Sequence, residues 1–299
     1  MTMSARANPR RDLARHLTRI GRRDVGQALQ SGLSLEPGRV AACIGFTGAP
    51  GAGKSTLIAH VAGLRAAAGR RLAIIAVDPS SPHSGGAVLG DRIRMDALLQ
   101  TQDVFIRSLA SGQATDGMAD NLVEVLDAVG ASGFDEMLLE TVGVGQVEYG
   151  ARAVMDTVVL VLAPGSGDQI QAMKAGMLET ADLLVVNKAD QPGAERMAQD
   201  LQAVVEYRHA CDEWRPRVLR VAAADGASLR ALSEAIDAHA AWRVGHVDME
   251  EVAQQRLLLH AKGLLQRRLA EVLAELTPRE RTLSLPALYD LLARRLPMA

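Results

Sequence analysis

Gly48-Ala49-Pro50-Gly51-Ala52-Gly53-Lys54-Ser55-Thr56 fits the pattern G-x-x-x-x-G-K-[ST], the phosphate-binding loop. The run Val40–Phe46 before it reads as a buried strand, and Thr56–Val61 after it reads as the opening of a helix. The motif needs that strand–loop–helix context, because its chemistry lies in the backbone. Glycines let successive N–H groups converge on an anion, and the helix N-terminus adds partial positive charge. In this pattern Lys54 reaches the outer phosphates and the Ser55 hydroxyl ligates Mg²⁺.

Working outward, apolar runs alternate with helix-like stretches from Val40 to about Val244. Strands are expected at Val40–Phe46, Leu72–Val77, Val104–Arg107, Glu136–Glu140, Asp156–Ala163, Leu183–Asn187 and Arg217–Ala222. This alternation predicts an α/β fold with a mostly parallel sheet flanked by helices, in which ligands bind at the carboxyl ends of the strands. The chain divides into an N-terminal helical arm over 1–36, a P-loop domain over 37–245 and a C-terminal helical extension over 246–299. In the extension, Met249–Leu276 reads as one long helix with Leu258, Leu265, Leu269, Val272 and Leu276 at spacings of three, four and seven. That stripe either packs on the chain's own sheet or joins two copies. A shorter helix follows, with Ser284 as its N-cap.

Composition narrows the function classes. The 299 residues are 48% hydrophobic but hold only three Phe, two Trp and three Tyr, so the core is aliphatic. Lys and Arg number 33 against 35 Asp and Glu, which lacks the basic excess of a nucleic-acid binder. The two cysteines, Cys43 and Cys211, form no close-spaced motif, as in a cytoplasmic protein. No apolar run approaches the ~20 residues of a membrane span. Residues 1–24 hold seven arginines against Asp12 and Asp24 and no apolar signal core. The spacing of Leu13, Leu17 and Ile20 there predicts a solvated amphipathic helix rather than a mitochondrial presequence.

Further segments complete the candidate site. Asn187-Lys188-Ala189-Asp190 ends a buried strand and matches N-K-x-D, the guanine-reading element of GTPases. Asp190 accepts from the guanine ring N–H and exocyclic amine, a donor pair that adenine lacks. Asn187 ties this loop to the phosphate loop, and the Lys188 stem covers the base. Glu140-Thr141-Val142-Gly143 stands where D-x-x-G senses a γ-phosphate. Glu140 would hold Mg²⁺ through water, and the Gly143 N–H would face the phosphate. Val144 occupies the place of the water-orienting Gln of small GTPases, so intrinsic hydrolysis is expected to be slow without help from another residue or a partner. Asp78 ends another strand and reads either as a magnesium-shell carboxylate or as a turn former. Asp91 is either a water positioner on a loop or the N-cap of an Arg92–Leu99 helix. Asp168 reads as the N-cap of a helix that carries Gln171 and Lys174.

At these residues the chain resembles the MeaB/ArgK family of P-loop GTPases, related to the methylmalonic aciduria type A protein. The resemblance rests on Gly48–Thr56, Val77–Pro82, Ser84–Gly86, Leu89–Arg92, Phe105–Ser108, Glu140–Gln146 and Asn187–Asp190. It implies a homodimeric, cytoplasmic GTPase that uses Mg²⁺. Such a protein gates cobalamin loading onto an adenosylcobalamin-dependent acyl-CoA mutase, and protects or reactivates that mutase. It implies switch loops at 78–92, 140–148 and 164–174, with Asp91, Arg92, Gln146, Asp168, Gln171 and Lys174 coupling the partner to hydrolysis. It also implies C-terminal helices at the dimer contact. Where the family reads S-A-L beside guanine, this chain has Ala222-Ala223-Ala224, leaving the Ala223 N–H as the expected contact. Two alternatives remain at this stage. One is a nickel-delivering GTPase using His209-Ala210-Cys211 with Asp212. The other is a phosphotransferase, for which no acceptor-site feature is evident.

Overall fold

A computed structural model describes residues 9–31, 41–78, 103–110, 121–141, 152–165, 177–208 and 213–297. The chain enters through α1 (Pro9–Ile20) and α2 (Val25–Ser31) and then forms β1 (Ala42–Thr47). The phosphate loop leads into α3 (Lys54–Ala67), followed by β2 (Leu72–Asp78), β3 (Val104–Ala110), α4 (Leu122–Gly130) and β4 (Glu136–Glu140). Next come β5 (Thr157–Leu162), the short α5 (Met177–Thr180), β6 (Leu183–Asn187), α6 (Ala194–Arg208) and β7 (Arg217–Val221). Helices α7 (Gly226–His246), α8 (Met249–Ala274) and α9 (Leu285–Arg295) close the chain.

The seven strands pair in the order β3-β2-β4-β1-β5-β6-β7, every pairing parallel. Side chains of a strand point alternately to the two faces, and the sequence obeys that period. On β2, Ala73, Ile75 and Val77 join the core that holds α1 and α4, while Leu72 and Ile74 join the one under α3 and α7. On β6, Leu183 and Val185 face α7 and Leu184 and Val186 face α6. Both faces are covered, so the inner strands read as unbroken apolar runs. Because β1 sits between β4 and β5, the loop after it opens at the place where the winding direction reverses.

Two polar hubs fix the helices at the amino ends of the strands, opposite the phosphate loop. Asp156 accepts from the Cys43 N–H (2.8 Å), from Arg243 on α7 (3.0 Å) and from Arg256 on α8 (3.1 Å). One carboxylate thus ties both C-terminal helices to β1 and β5. Asp182 accepts from the Val158 N–H (2.7 Å) and from Arg152, and lies 3.3 Å from Nε2 of His239, a ring with no exposed surface. Burial pushes the Asp182 carboxyl upward, but the His239 and Arg152 hydrogen bonds and charges outweigh it, and the group is held below its ordinary value. A depressed folded-state value stabilises above the unfolded carboxylate value, about 3.9, and that contribution disappears as the pH falls through the folded value. The expected result is that Asp182→Asn destabilises the protein near neutrality and that its deficit shrinks as the pH is lowered below about 4. Urea unfolding of both proteins across that window measures it, and a deficit independent of pH would refute the ionic role.

The sequence placed the strands well, with small shifts. β3 runs on to Ala110 because the ladder to β2 continues to Asp78 opposite Ala110. The long helix behaves differently from one expectation. Its inward face is His260, Gly263, Leu264 and Val272, whereas Leu258 and Leu265 are 71% and 66% exposed, so the outer part of the leucine stripe does not pack on the chain's own sheet. Ser284 stands at the N-cap of α9 without a side-chain capping bond.

Candidate nucleotide-binding site

The loop after β1 is shaped by its glycines. Gly48 has φ of 137°, and a Cβ there would lie 2.0 Å from the Val161 carbonyl oxygen on β5. Gly53 has φ of 92° and serves as N-cap of α3, and a Cβ on it would strike the Asn187 amide at 2.5 Å. Both positions therefore need glycine for conformation and for room. Between them Ala49, Pro50, Gly51 and Ala52 turn over the N-terminus of α3, with Pro50 and Gly51 exposed and Ala52 buried. The Lys54 ammonium is buried and donates to the carbonyls of Gly48 (2.7 Å) and Ala49 (3.2 Å), which holds it inside the loop. Thr56, two residues further on, is exposed.

Carboxylates stand at neighbouring strand ends beside this loop. Glu140 is the last residue of β4, paired in register with Phe46 of β1 and Ala76 of β2. Its Oε1 accepts from the Ser55 hydroxyl at 2.8 Å. Asp78 is the last residue of β2 and is buried, as Glu140 is. Ser55, Asp78 and Glu140 supply only oxygen donors, the set that hard divalent cations take.

The N-K-x-D segment meets the same loop. The Asn187 amide donates to the Ala52 carbonyl at 2.9 Å, and Lys188 donates from Nζ to the Gly51 carbonyl at 2.9 Å. Lys188 has φ of 55°, a left-handed backbone that is uncommon outside glycine and turns the chain so that exposed Asp190 follows it. The Ala189 N–H donates to Val221 (3.0 Å), which brings the end of β7 and the exposed Ala223 alongside. Residues that sequence reasoning passed over support that corner. The Ser228 hydroxyl accepts from the Ala222 N–H (3.2 Å) and donates to the Asp225 carbonyl (2.8 Å). Asp225 caps α7 through the Ala227 and Ser228 N–H groups, and those bonds, Ala227's first, hold its carboxyl below the usual range. The readable signal was an Asp followed three residues later by a hydroxyl at a helix start. A serine four residues beyond the Ala222–Ala224 run thus braces the loop in which that run lacks a hydroxyl.

Asp91, Arg92, Gly143, Gln146, Asp168, Gln171 and Lys174 lie outside the described residues, as do His209, Cys211 and Asp212. Among the described residues no group of three or more His, Cys, Asp or Glu is placed to hold a metal ion, and no helix is long and apolar enough to cross a membrane.

The arrangement can bind a phosphate chain at the loop, admit a hard cation beside it and present a carboxylate to a base at the far end. Comparison with known proteins agrees with that shape. The family model for the methylmalonyl-CoA mutase-associated GTPase MeaB matches residues 13–277. A Pyrococcus horikoshii protein named as a GTPase is 41% identical over 199 residues, which are 66% of this chain and 63% of that one. The mitochondrial methylmalonic aciduria type A homolog of Mus musculus is 38% identical over 187 residues, 61% of this chain and 45% of that one. The matches therefore span less than two thirds of these relatives' lengths. The crystal structure of an LAO/AO transport system kinase superposes with a TM-score of 0.60 at 26% identity, over 85% of this chain and 81% of its own. With the cradle, the Asn187 loop laid against it and a family match running through all seven strands, this chain belongs to the MeaB/ArgK family of P-loop proteins.

Proposed function

We propose that this protein binds and hydrolyses GTP, and that the nucleotide state gates cobalamin loading onto an adenosylcobalamin-dependent acyl-CoA mutase. The observation that carries the nucleotide part is the 2.9 Å bond from the Asn187 amide to the Ala52 carbonyl. It sets a base-reading loop against a phosphate-reading loop, so that one ligand bridges both. The main-chain amides of Gly48–Thr56 with Lys54 take the phosphates, Asp190 takes the guanine edge, and Ala223 closes the base pocket through its N–H. Ser55, Glu140 and Asp78 would hold Mg²⁺, which would supply charge neutralisation along the phosphate chain. Gly143 and Asp91 lie outside the described residues; on this reading the Gly143 N–H would take the γ-phosphate, and Asp91 or a partner residue would orient the attacking water. The family description and the name of the mouse relative support the mutase as client. Binding GTP or GDP then acts on the mutase through the difference in its affinity for the two states.

Purified protein assayed for phosphate release with and without candidate mutases tests this reading. Slow turnover that rises when a mutase is added, and mutase capture that differs between GDP and a non-hydrolysable GTP analogue, are expected. Turnover unmoved by every candidate mutase would refute the chaperone role. Label from γ-labelled GTP on an acceptor instead of in free phosphate would turn the reading to a phosphotransferase.

The protein acts as a homodimer through α8. Leu258, Leu265 and Leu269 form an outward row on that helix, and Leu285 and Tyr289 of α9 are 80% and 71% exposed. Exposed apolar rows of this kind mark an interaction site. Leu258→Glu with Leu265→Glu is expected to convert a dimer to a folded monomer in sedimentation analysis. A wild-type monomer, or a double variant that stays dimeric, would refute it.

A further inference from the structure

We propose that the arginine face of α1 is a docking surface for an acidic face of a protein partner, with carboxylates in a row on a helix. The partner, on the reading given above, is the client mutase. Between Pro9 and Arg23 the chain holds six arginines against Asp12 alone, although the whole chain carries a net charge of −2. Positive charge is thus gathered on one element of a slightly acidic molecule. α1 is not a loose basic tail. Leu13, Leu17 and Ile20 are buried in the core that includes Phe105 and Leu109 of β3, which fixes the helix by one face and turns Arg11, Arg15 and Arg19 to solvent. These three stand one helical turn apart, about 6 Å between neighbours.

The opposite wall is set by the sheet. Arg107 of β3 donates to the Thr18 hydroxyl at 3.1 Å, and between helix and strand runs an open groove of about 780 Å³ lined by Arg11, Asp12, Arg15, Thr18, Arg19 and Arg107. Among the described residues that line the groove Asp12 is the one carboxylate, 3.8 Å from Arg15, and Arg19 pairs with no acid among the described residues. His16 beside them is held below its ordinary value by burial and then by Arg23 and Arg19, in keeping with a positive local field.

The chemistry of the groove selects the class of partner. Among the described residues no aromatic side chain lines it to stack a base, and the chain has no overall basic excess, which speaks against nucleic acid. The apolar residues of α1 point inward, so the helix offers nothing to insert into a bilayer. The Arg15 and Arg19 guanidinium groups, one helical turn apart, match two carboxylates at the same spacing, and each pair can be bidentate.

The test is the association kinetics of purified mutase with the full chain, its Arg15→Glu/Arg19→Glu variant and its Arg15→Lys/Arg19→Lys variant, from about 50 to about 500 mM salt. Charge reversal is expected to slow association at low salt at least about tenfold and to flatten its salt dependence, while the lysine variant keeps the steering. GTP affinity and basal turnover stay unchanged in both variants, since among the described residues neither arginine contacts the Gly48–Thr56 or Asn187–Asp190 loop. Wild type and reversed variant associating alike would overturn this inference and leave the chaperone reading standing. A wild-type chain that binds no mutase would overturn the chaperone reading and this partner with it. Capture of duplex DNA or phosphatidylserine vesicles that charge reversal abolishes, with mutase association intact, would overturn it in favour of those polyanions.

Discussion

Replacing Asp190 by asparagine is expected to exchange the base preference from guanine to xanthine. The carboxylate only accepts hydrogen bonds, and guanine offers it a ring N–H and an amine together. An asparagine amide keeps one acceptor and gains a donor. Against guanine that donor faces the amine, one bond is lost and a polar group is left without a partner. Against xanthine, which carries a carbonyl where guanine has its amine, the same amide finds both bonds. Sites built to hydrogen-bond a substrate reject the mismatched analogue by large factors, and a loss of GTP affinity on the order of 10²- to 10⁴-fold follows. Calorimetry with the guanosine and xanthosine diphosphates in magnesium measures it. Asp190 is exposed on the turn that left-handed Lys188 creates, so the substitution removes no core contact and folding is unaffected. Unchanged affinity for the guanosine nucleotide would mean that this turn does not read the base.

The legible part of the fold was the part written in local runs. Leu72–Val77, Glu136–Glu140 and Leu183–Asn187 are buried on both faces, and their apolar blocks end within a residue of the observed strands. The phosphate loop was legible because its requirements are backbone requirements, and glycine at Gly48 and Gly53 is the direct record of them. What the sequence hid was long-range or carried by the main chain. Asp156 looked like one more strand-end acid, yet it gathers Cys43, Arg243 and Arg256 from three separate elements. Ser228 supports the base corner through the backbone of Ala222, so no residue-type pattern at Ala222–Ala224 announces it. On α8 the leucine spacing was correct as a helical stripe. Periodicity reports that a face is apolar and not what covers it, and the covered face includes His260 and Gly263, which no hydropathy pattern picks out. The arginines of α1 read as a solvated helix face, and only the packing of Leu13, Leu17 and Ile20 on the sheet shows that they are held in a fixed row.

The other large effect is expected at Lys54. Its ammonium lies within the turn of the loop, 2.7 Å from the Gly48 carbonyl and 3.2 Å from that of Ala49. It is the one cationic side chain belonging to Gly48–Thr56, on a residue only 7% exposed, where charge acts more strongly than in water. As the γ-phosphoryl group leaves, negative charge shifts along the phosphate chain, and a fixed cation beside the bridging oxygens stabilises that transition state more than the bound ground state. Lys54→Ala is expected to lower GTP turnover by about 10²- to 10³-fold, the range seen when one preorganised donor to developing charge is removed. Triphosphate affinity weakens with it, and the diphosphate loses less. Lys54→Arg does not restore the rate, because a planar guanidinium does not fit the turn that a compact ammonium fills. Single-turnover phosphate release at saturating nucleotide separates the chemical step from binding, and the base preference set by Asp190 serves as an internal control that the site is folded. Turnover within about threefold of wild type in Lys54→Ala, with that preference intact, would mean that the loop amides and the metal carry the charge without the lysine.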